Sequence, residues 1–348
     1  MKKMIFVIPL LALLGWAKPS HAVSVSGYFD MEYIDADSGS APFYRQHHLN
    51  LMLAHEVDIY KFFSEIEFED APDIDYGRTP AATPGPGAGA AQGRVFVERA
   101  YADAMFSNHF NLRMGQMLHS SLYYENHYPS LTHNITDPSM VKSGKRIFAR
   151  NIKGISAFGE IAAGAYYGLW TGRGPSTLTT TANVYESGTD MGYKIGYKRK
   201  SGSLEYDLAY KGADYHDATG STSQVDARIA ATGLEMSLTA GAFNLWAEMG
   251  STSYDVSPST NDQTTFYAIA SYAISLGDKG EISPFVMMDS YETEAYTTAK
   301  KQTAVGVSFK PLPSITYKAE YLKVADYNDG TAHAATNQYG VAFVYFYN

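Results

Sequence analysis

The chain has 348 residues, 27 basic against 36 acidic side chains, a formal charge of −9 and no cysteine. Disulfides, thiolate nucleophiles and thiolate metal sites are therefore excluded, and the acidic balance carries no nucleic-acid footprint. The slightly negative mean hydropathy excludes an α-helical membrane protein, but not a barrel, in which only alternate residues meet lipid. Tyrosine is overused, at 28 against 17 Phe and 3 Trp. It forms strands well and sits well where an apolar medium meets water.

The first 22 residues, "MKKMIFVIPLLALLGWAKPSHA", set Lys2 and Lys3 before an apolar run from Met4 to Ala17 and end in small residues at Ser20 and Ala22. This is the pattern of a secretory signal peptide, 1–22, cut after Ala22. Lys18 and Pro19 stop the run short of the ~20 residues a spanning helix needs. Loss of its three lysines leaves 24 bases against 36 acids in 23–348, a formal charge of −12.

From Val23 onward the period becomes two, the period of a strand. Residues 23–34 put Val25, Phe29, Met31 and Tyr33 on one face and Ser26, Tyr28, Asp30 and Glu32 on the other. In 43–54, His47 and His48 are adjacent, so strict alternation sends them to opposite faces. "FFSEIEFED" within 60–69 opposes Phe62, Ser64, Ile66 and Phe68 to Glu65, Glu67 and Glu69. The strand at 94–106 adds Arg99 and Asp103 to the polar face, and 110–118 opposes Phe110, Leu112 and Met114 to Asn111 and Arg113.

The segments 151–160 and 162–171 are separated by "EIAAG". The strand at 188–199 opposes Met191, Tyr193, Ile195 and Tyr197 to Lys194 and Lys198, with Lys200 just beyond. Next, 204–213 opposes Leu204, Tyr206, Leu208 and Tyr210 to Glu205, Asp207 and Lys211. The strand at 226–238 carries Glu235 inward and leaves Arg228 on the nominally outer face. Strands at 241–251, 263–276, 281–291 and 301–310 add Glu248, Asp289 and Lys310 to the polar side. The strand at 315–325 opposes Ile315, Tyr317, Ala319 and Tyr321 to Lys318 and Glu320, and 337–347 ends the series.

Strands of this length suit a tilted crossing of a bilayer, where soluble strands average ~5–6 residues. Short links such as "SGS" (201–203) and "PLPS" (311–314) alternate with long ones such as 70–93 and 119–150. The pattern predicts an all-β fold, a transmembrane antiparallel β-barrel of sixteen strands with both termini at the short-turn, periplasmic end; fourteen and eighteen are the neighbouring counts. Closure pairs every backbone group, which lipid cannot do. The apolar face then meets lipid, and the carboxylates meet a water-filled interior.

"FFSEIEFED", a Gly-rich loop, "GRVFVERAYADAMFSNHFNLRMGQM", "YYENHYPSLTHNITDPSM" and "ITYKAEYLKV" together resemble Gram-negative outer-membrane porins, most closely the group that includes the phosphate-selective porins. The last strand, "YGVAFVYFYN", resembles the aromatic-rich terminal strand of such proteins, though it ends on Asn348. The resemblance implies that the third outside loop, 119–150, folds into the pore and narrows it. That constriction loop carries Glu125, Asp137, Lys142, Lys145, Arg146 and Arg150, with His119, His127 and His133. It also implies an outer-membrane location and a homotrimer.

The inner face so read holds twelve acids against eight bases, while the loop adds four bases and two acids. The expected function is a porin: passive diffusion of small hydrophilic solutes and ions, weakly cation-selective, with outer-membrane lipid as partner. The alternatives are an anion- or phosphate-selective porin, a barrel serving as adhesin or scaffold and, last, an enzyme. His119-Ser120-Ser121 matches no catalytic signature, and no His-x-His or His-x3-His spacing points to a metal. No cofactor is implied.

Overall fold

The computed structural model describes residues 23–37, 42–69, 94–118, 122–123, 132–141, 147–148, 151–173, 189–217, 227–255, 262–293, 298–328 and 332–347. The expected signal peptide lies outside them. Among them, sixteen strands form one antiparallel ring. They are β1 (Ser24–Ala36), β2 (Phe43–Val57), β3 (Tyr60–Glu69), β4 (Arg94–Met105), β5 (Asn111–Leu118), β6 (Asn151–Ala162), β7 (Ala165–Arg173) and β8 (Thr189–Ser201). The second half comprises β9 (Leu204–Asp217), β10 (Ala227–Ala240), β11 (Phe243–Asp255), β12 (Gln263–Tyr272), β13 (Glu281–Thr293), β14 (Lys300–Leu312), β15 (Ile315–Val324) and β16 (Thr336–Tyr347). Ile274–Ser275 continues β12 along β13. Each strand pairs with the next, and β16 pairs with β1 through Met31↔Phe343 and Glu32↔Ala342, which closes the ring. No sheet edge is left to lipid.

No described helix is long and apolar enough to cross a membrane. The outer face is an apolar belt in which Met114, Leu169, Ile195, Leu208, Leu234, Met288 and Val341 are all exposed. Aromatic side chains gather at its two margins. Tyr60, Phe106, Phe110, Tyr272 and Tyr317 ring the short-turn end, and Phe43, Tyr44 and Tyr339 the other. Their amphipathic rings suit the lipid–water boundary, which accounts for the tyrosine excess. The short turns are tight: Gly202 and Gly241 take φ of +62° and +61° in two-residue links, a conformation in which a Cβ would be strained.

Strict alternation breaks in two places that matter for the interior. The β1–β2 register shifts between Phe29 and Met31, which face Leu49 and Gln46. Three residues of β2 thus match two of β1. The β3–β4 register shifts between Glu65 and Ile66, which face Arg99 and Val97, leaving Glu98 as the extra residue. A bulge of this kind lets two successive side chains share one face.

Candidate functional site: the lumen and its inward loop

The expected inward loop is present. The described parts of 119–150 lie inside the barrel, with Leu122, Tyr123, Ile135, Met140, Val141, Ile147 and Phe148 all buried. Tyr123, Met140, Val141, Ile147 and Phe148 pack on inner-face apolar side chains, Ile152, Trp170, Tyr267, Ile269, Met287 and Leu322, in one cluster. Glycines make room. A Cβ on Gly250 would stand 3.1 Å from Ile147, and one on Gly340 would stand 3.2 Å from Ile135.

Carboxylates of the far wall hold the loop by its backbone. Ile135 N–H donates to Glu320 Oε2 at 2.7 Å, and Thr136 N–H to Glu320 Oε1 at 3.1 Å. Ser139 gives its N–H to Asp289 Oδ1 at 2.8 Å and its hydroxyl to Asp289 Oδ2 at 2.7 Å. Lys318 Nζ donates to Asn134 O at 3.1 Å. Hydrogen bonds to an ionised acceptor are about twice as strong as neutral ones. Tyr123 donates to Asp137 at 2.9 Å, and Asn134 Nδ2 to the Tyr123 oxygen at 3.2 Å, bracing the loop internally. At its near end Leu122 N–H donates to Glu235.

His133 stacks on Trp246, with centroids 5.8 Å apart and planes 7° apart, and its Nδ1 lies 2.8 Å from Ser308 Oγ. Burial first, then the ammonium groups of Lys310 and Lys318, push its imidazole down to about 4. It is therefore neutral at physiological pH.

The lumen walls differ in charge. On β1–β4 the buried carboxylates are Asp30, Glu32, Glu65, Glu67, Glu98 and, toward the short-turn end, Asp103. Arg45 clasps Glu32 at 2.7 Å, and Arg99 Nε donates to Glu65 at 2.6 Å. Asn50 Nδ2 donates to Glu65 at 2.6 Å. On β8–β11 the buried ammonium of Lys211 pairs with both Glu235 and Glu248 and lies 4.3 Å from the centre of the Phe148 ring. Lys194 pairs with Glu235 at 2.7 Å, and Tyr267 donates to Glu248 at 3.1 Å. Arg113 lies between, forked onto Asp103 at 2.8 and 2.9 Å and over the Tyr101 ring at 3.9 Å. Arg113, Lys194, Lys198 and Asp207 line a cavity of ≈ 530 Å³.

Of the residues expected to line the pore, Asp30, Glu32, Glu65, Glu67, Arg99, Arg113, Lys194, Lys198, Lys318 and Glu320 lie on the inner face. The Glu69 side chain lies outside the described residues. Within the loop, His133 and Asp137 are described; Glu125, His127, Lys142, Lys145, Arg146 and Arg150 lie outside, as does His119.

One expectation is overturned. His47 and His48 do not point to opposite faces. The β2 bulge turns both inward, with ring centroids 3.7 Å apart. Glu98 and Arg45 are also interior residues that strict alternation missed. For Glu98 the signal was "VER": two adjacent charges in a strand, one of which lipid would reject.

No family model matches the chain, and no curated relative matches it. Solved structures do. An anion-selective porin from Comamonas acidovorans superposes with a TM-score of 0.65 at 14% identity, covering 94% of this chain and 100% of that one. OmpF of Salmonella typhi superposes at 0.64 and 12%, covering 94% and 100%. A trimer form of OmpT, an outer membrane protein of Vibrio cholerae, superposes at 0.60 and 12%, covering 94% and 99%. The fold is that of an outer-membrane porin. The expected outer-membrane location stands with it, since the barrel's apolar belt needs a bilayer and such barrels are outer-membrane proteins. These likenesses reach the fold.

Proposed function

We propose that the chain forms a water-filled diffusion channel for small hydrophilic solutes and ions, weakly selective for cations and without catalytic activity. The observation that carries this reading is the loop seated across the bore by Glu235, Asp289 and Glu320. A sixteen-strand barrel is wide enough for an aqueous channel, and a loop held against its inner wall narrows that channel.

The cation preference rests on the walls. Lys211 and Lys194 are matched by Glu235 and Glu248, and Arg113 by Asp103. Apart from Asp103, the β1–β4 wall sets five buried carboxylates against the guanidinium groups of Arg45 and Arg99. Its field, focused by the low-dielectric wall, attracts cations into the aqueous passage. An anion-selective reading has one observation in its favour: Arg113, Lys194 and Lys198 all line the cavity beneath the loop. The pairing of Arg113 with Asp103 and of Lys194 with Glu235 weakens it. Cleavage after Ala22 and assembly as a homotrimer belong to the same proposal, the second supported by the trimeric Vibrio cholerae neighbour.

Planar-bilayer recording tests the reading. Refolded protein lacking residues 1–22 should give open, ohmic channels, and a potassium chloride gradient should give a reversal potential of cationic sign. A silent membrane would overturn the channel; an anionic sign would leave the channel and overturn its selectivity. Cross-linking in detergent should stop at three copies, and a persistent monomer would remove the trimer.

A further inference from the structure

The β2 bulge does more than bend a strand. It places two imidazoles beside a carboxylate, and the candidate ligand atoms of Asp30, His47 and His48 all lie within 4.8 Å of one another. We propose that Asp30, His47 and His48 form a transition-metal site in the lumen wall, taking Zn²⁺ or an ion of similar ligand preference.

The donor set suits this class. Zn²⁺ takes imidazole nitrogen and carboxylate oxygen at about 2.0–2.2 Å, so tetrahedral ligands stand about 3.4 Å apart. The present spacing closes on an ion with side-chain shifts of an ångström or so. Imidazole selects Zn²⁺, Cu²⁺ or Ni²⁺ over Mg²⁺ and Ca²⁺, which prefer all-oxygen sites.

The surroundings have the form of a supported site. His48 is buried, with Nδ1 3.0 Å from Asp30 Oδ2 and Nε2 3.5 Å from Glu67 Oε1. Its backbone N–H donates to Asp30 Oδ1 at 2.5 Å, fixing that carboxylate. His47 Nδ1 lies 3.2 Å from Glu32 Oε1, whose other oxygen is held by Arg45. Carboxylates behind histidines set ring orientation and raise ligand basicity, as outer-shell groups of metal sites do. Glu67 stands behind His48, on the ring nitrogen away from Asp30.

Charge points the same way. Glu32 pairs with the guanidinium of Arg45, and the ammonium of Lys318, two strands away, lies near Asp30 and Glu32, so the three carboxylates Asp30, Glu32 and Glu67 outnumber the two cations beside them. The His47 side chain keeps 16% exposure, which gives an ion in the lumen a route in. The site is also in register with the loop anchor: Glu32 faces Ala342, and Ala342 faces Lys318. An ion bound there stands at the narrowed level of the bore.

Direct binding tests the site whether or not the barrel conducts. Chelator-stripped, folded barrel lacking residues 1–22 is titrated with zinc chloride by calorimetry at neutral pH. One Zn²⁺ per barrel is expected, with at least tenfold weaker binding in the double variant His47→Gln/His48→Gln and no change in His109→Gln at a short turn. Unchanged affinity in the double variant, or no Zn²⁺ uptake by the wild type, overturns the proposal. Should the double variant fail to fold, X-ray absorption of Zn²⁺-loaded wild type decides. Two imidazoles in the first shell support the site, and an all-oxygen shell overturns it.

Discussion

At the scale of single residues, the interior and the exterior obey opposite rules. Leu208 sits on the outer belt at 48% exposure, while Glu205 on the same strand pairs with Lys200 at the inner mouth. An arginine at Leu208 must leave water for hydrocarbon; one at Glu205 stays wet. We expect Leu208→Arg to destabilise the barrel by ~2–4 kcal/mol, read as a lower urea midpoint in lipid. Glu205→Arg should leave that midpoint in place and change conductance. The reverse pattern would mean that the faces are exchanged. His133 obeys a third rule, because it is buried neutral. With its folded value near 4 and an unfolded value near 6.5, the unseated loop binds the proton more readily. The stabilisation from seating is therefore complete above about pH 6.5 and is lost as pH falls toward 4. Barrel lacking residues 1–22 and carrying Trp170→Phe keeps Trp246 as its one tryptophan. Its fluorescence should shift reversibly over that interval. A flat response down to pH 4, or an identical one in His133→Gln, would remove His133 from the latch.

At the scale of elements, the inward loop is the part with an energetic identity of its own. Its apolar side chains cover an inner face that would otherwise show Ile269, Met287 and Leu322 to water. Its backbone N–H groups are held by the carboxylates of Asp289 and Glu320. Neutralising those acids should free the loop without breaking the ring, whose strand pairing they do not join. Asp289→Asn with Glu320→Gln is expected to raise single-channel conductance and its noise, with the heat-modifiable gel shift of a folded barrel retained. Gly250→Leu should unseat the loop from the other side, since its Cβ already meets Ile147 at 3.1 Å. Unaltered conductance in both variants would mean that the loop does not set the bore. Much of this element was legible beforehand. Period two gave the strands to within a few residues, and the length of 119–150 marked the loop. The seat was not read, though inner-face apolar residues such as Ile269 and Met287 were its signal, being out of place in an open aqueous lumen. The bulges were hidden for a different reason. A bulge is a register shift between two strands, so it shows only when the partner is known. For that reason His47 and His48 read as opposed in the sequence and lie side by side in the barrel.

At the scale of the whole molecule, selectivity is a question of where charges stand rather than how many there are. Twelve inner acids against eight bases suggested cations, yet several acids in that count have structural duties. Asp289 and Glu320 hold the loop, and Glu235 and Glu248 are matched to lysines. What remains is an asymmetry across the bore. The acidic wall of β1–β4 lies roughly opposite the balanced lysine wall of β8–β11, because the two sets are about half a ring apart. An ion at the narrowed level thus experiences the acidic wall with little counter-field from the facing one. Screening sets the reach of that field, with a Debye length of about 30 Å at 0.01 M salt and about 3 Å at 1 M. The preference for potassium over chloride should therefore be clear in dilute salt and approach unity in molar salt. Glu67→Gln with Glu98→Gln, recorded with a chelator present to keep His47 and His48 free of metal, should reduce the dilute-salt preference while leaving molar-salt conductance nearly unchanged. Chloride preference at every salt concentration would mean that Arg113, Lys194 and Lys198 govern permeation from the cavity below the loop, and that the acidic wall acts only on ions that have already passed.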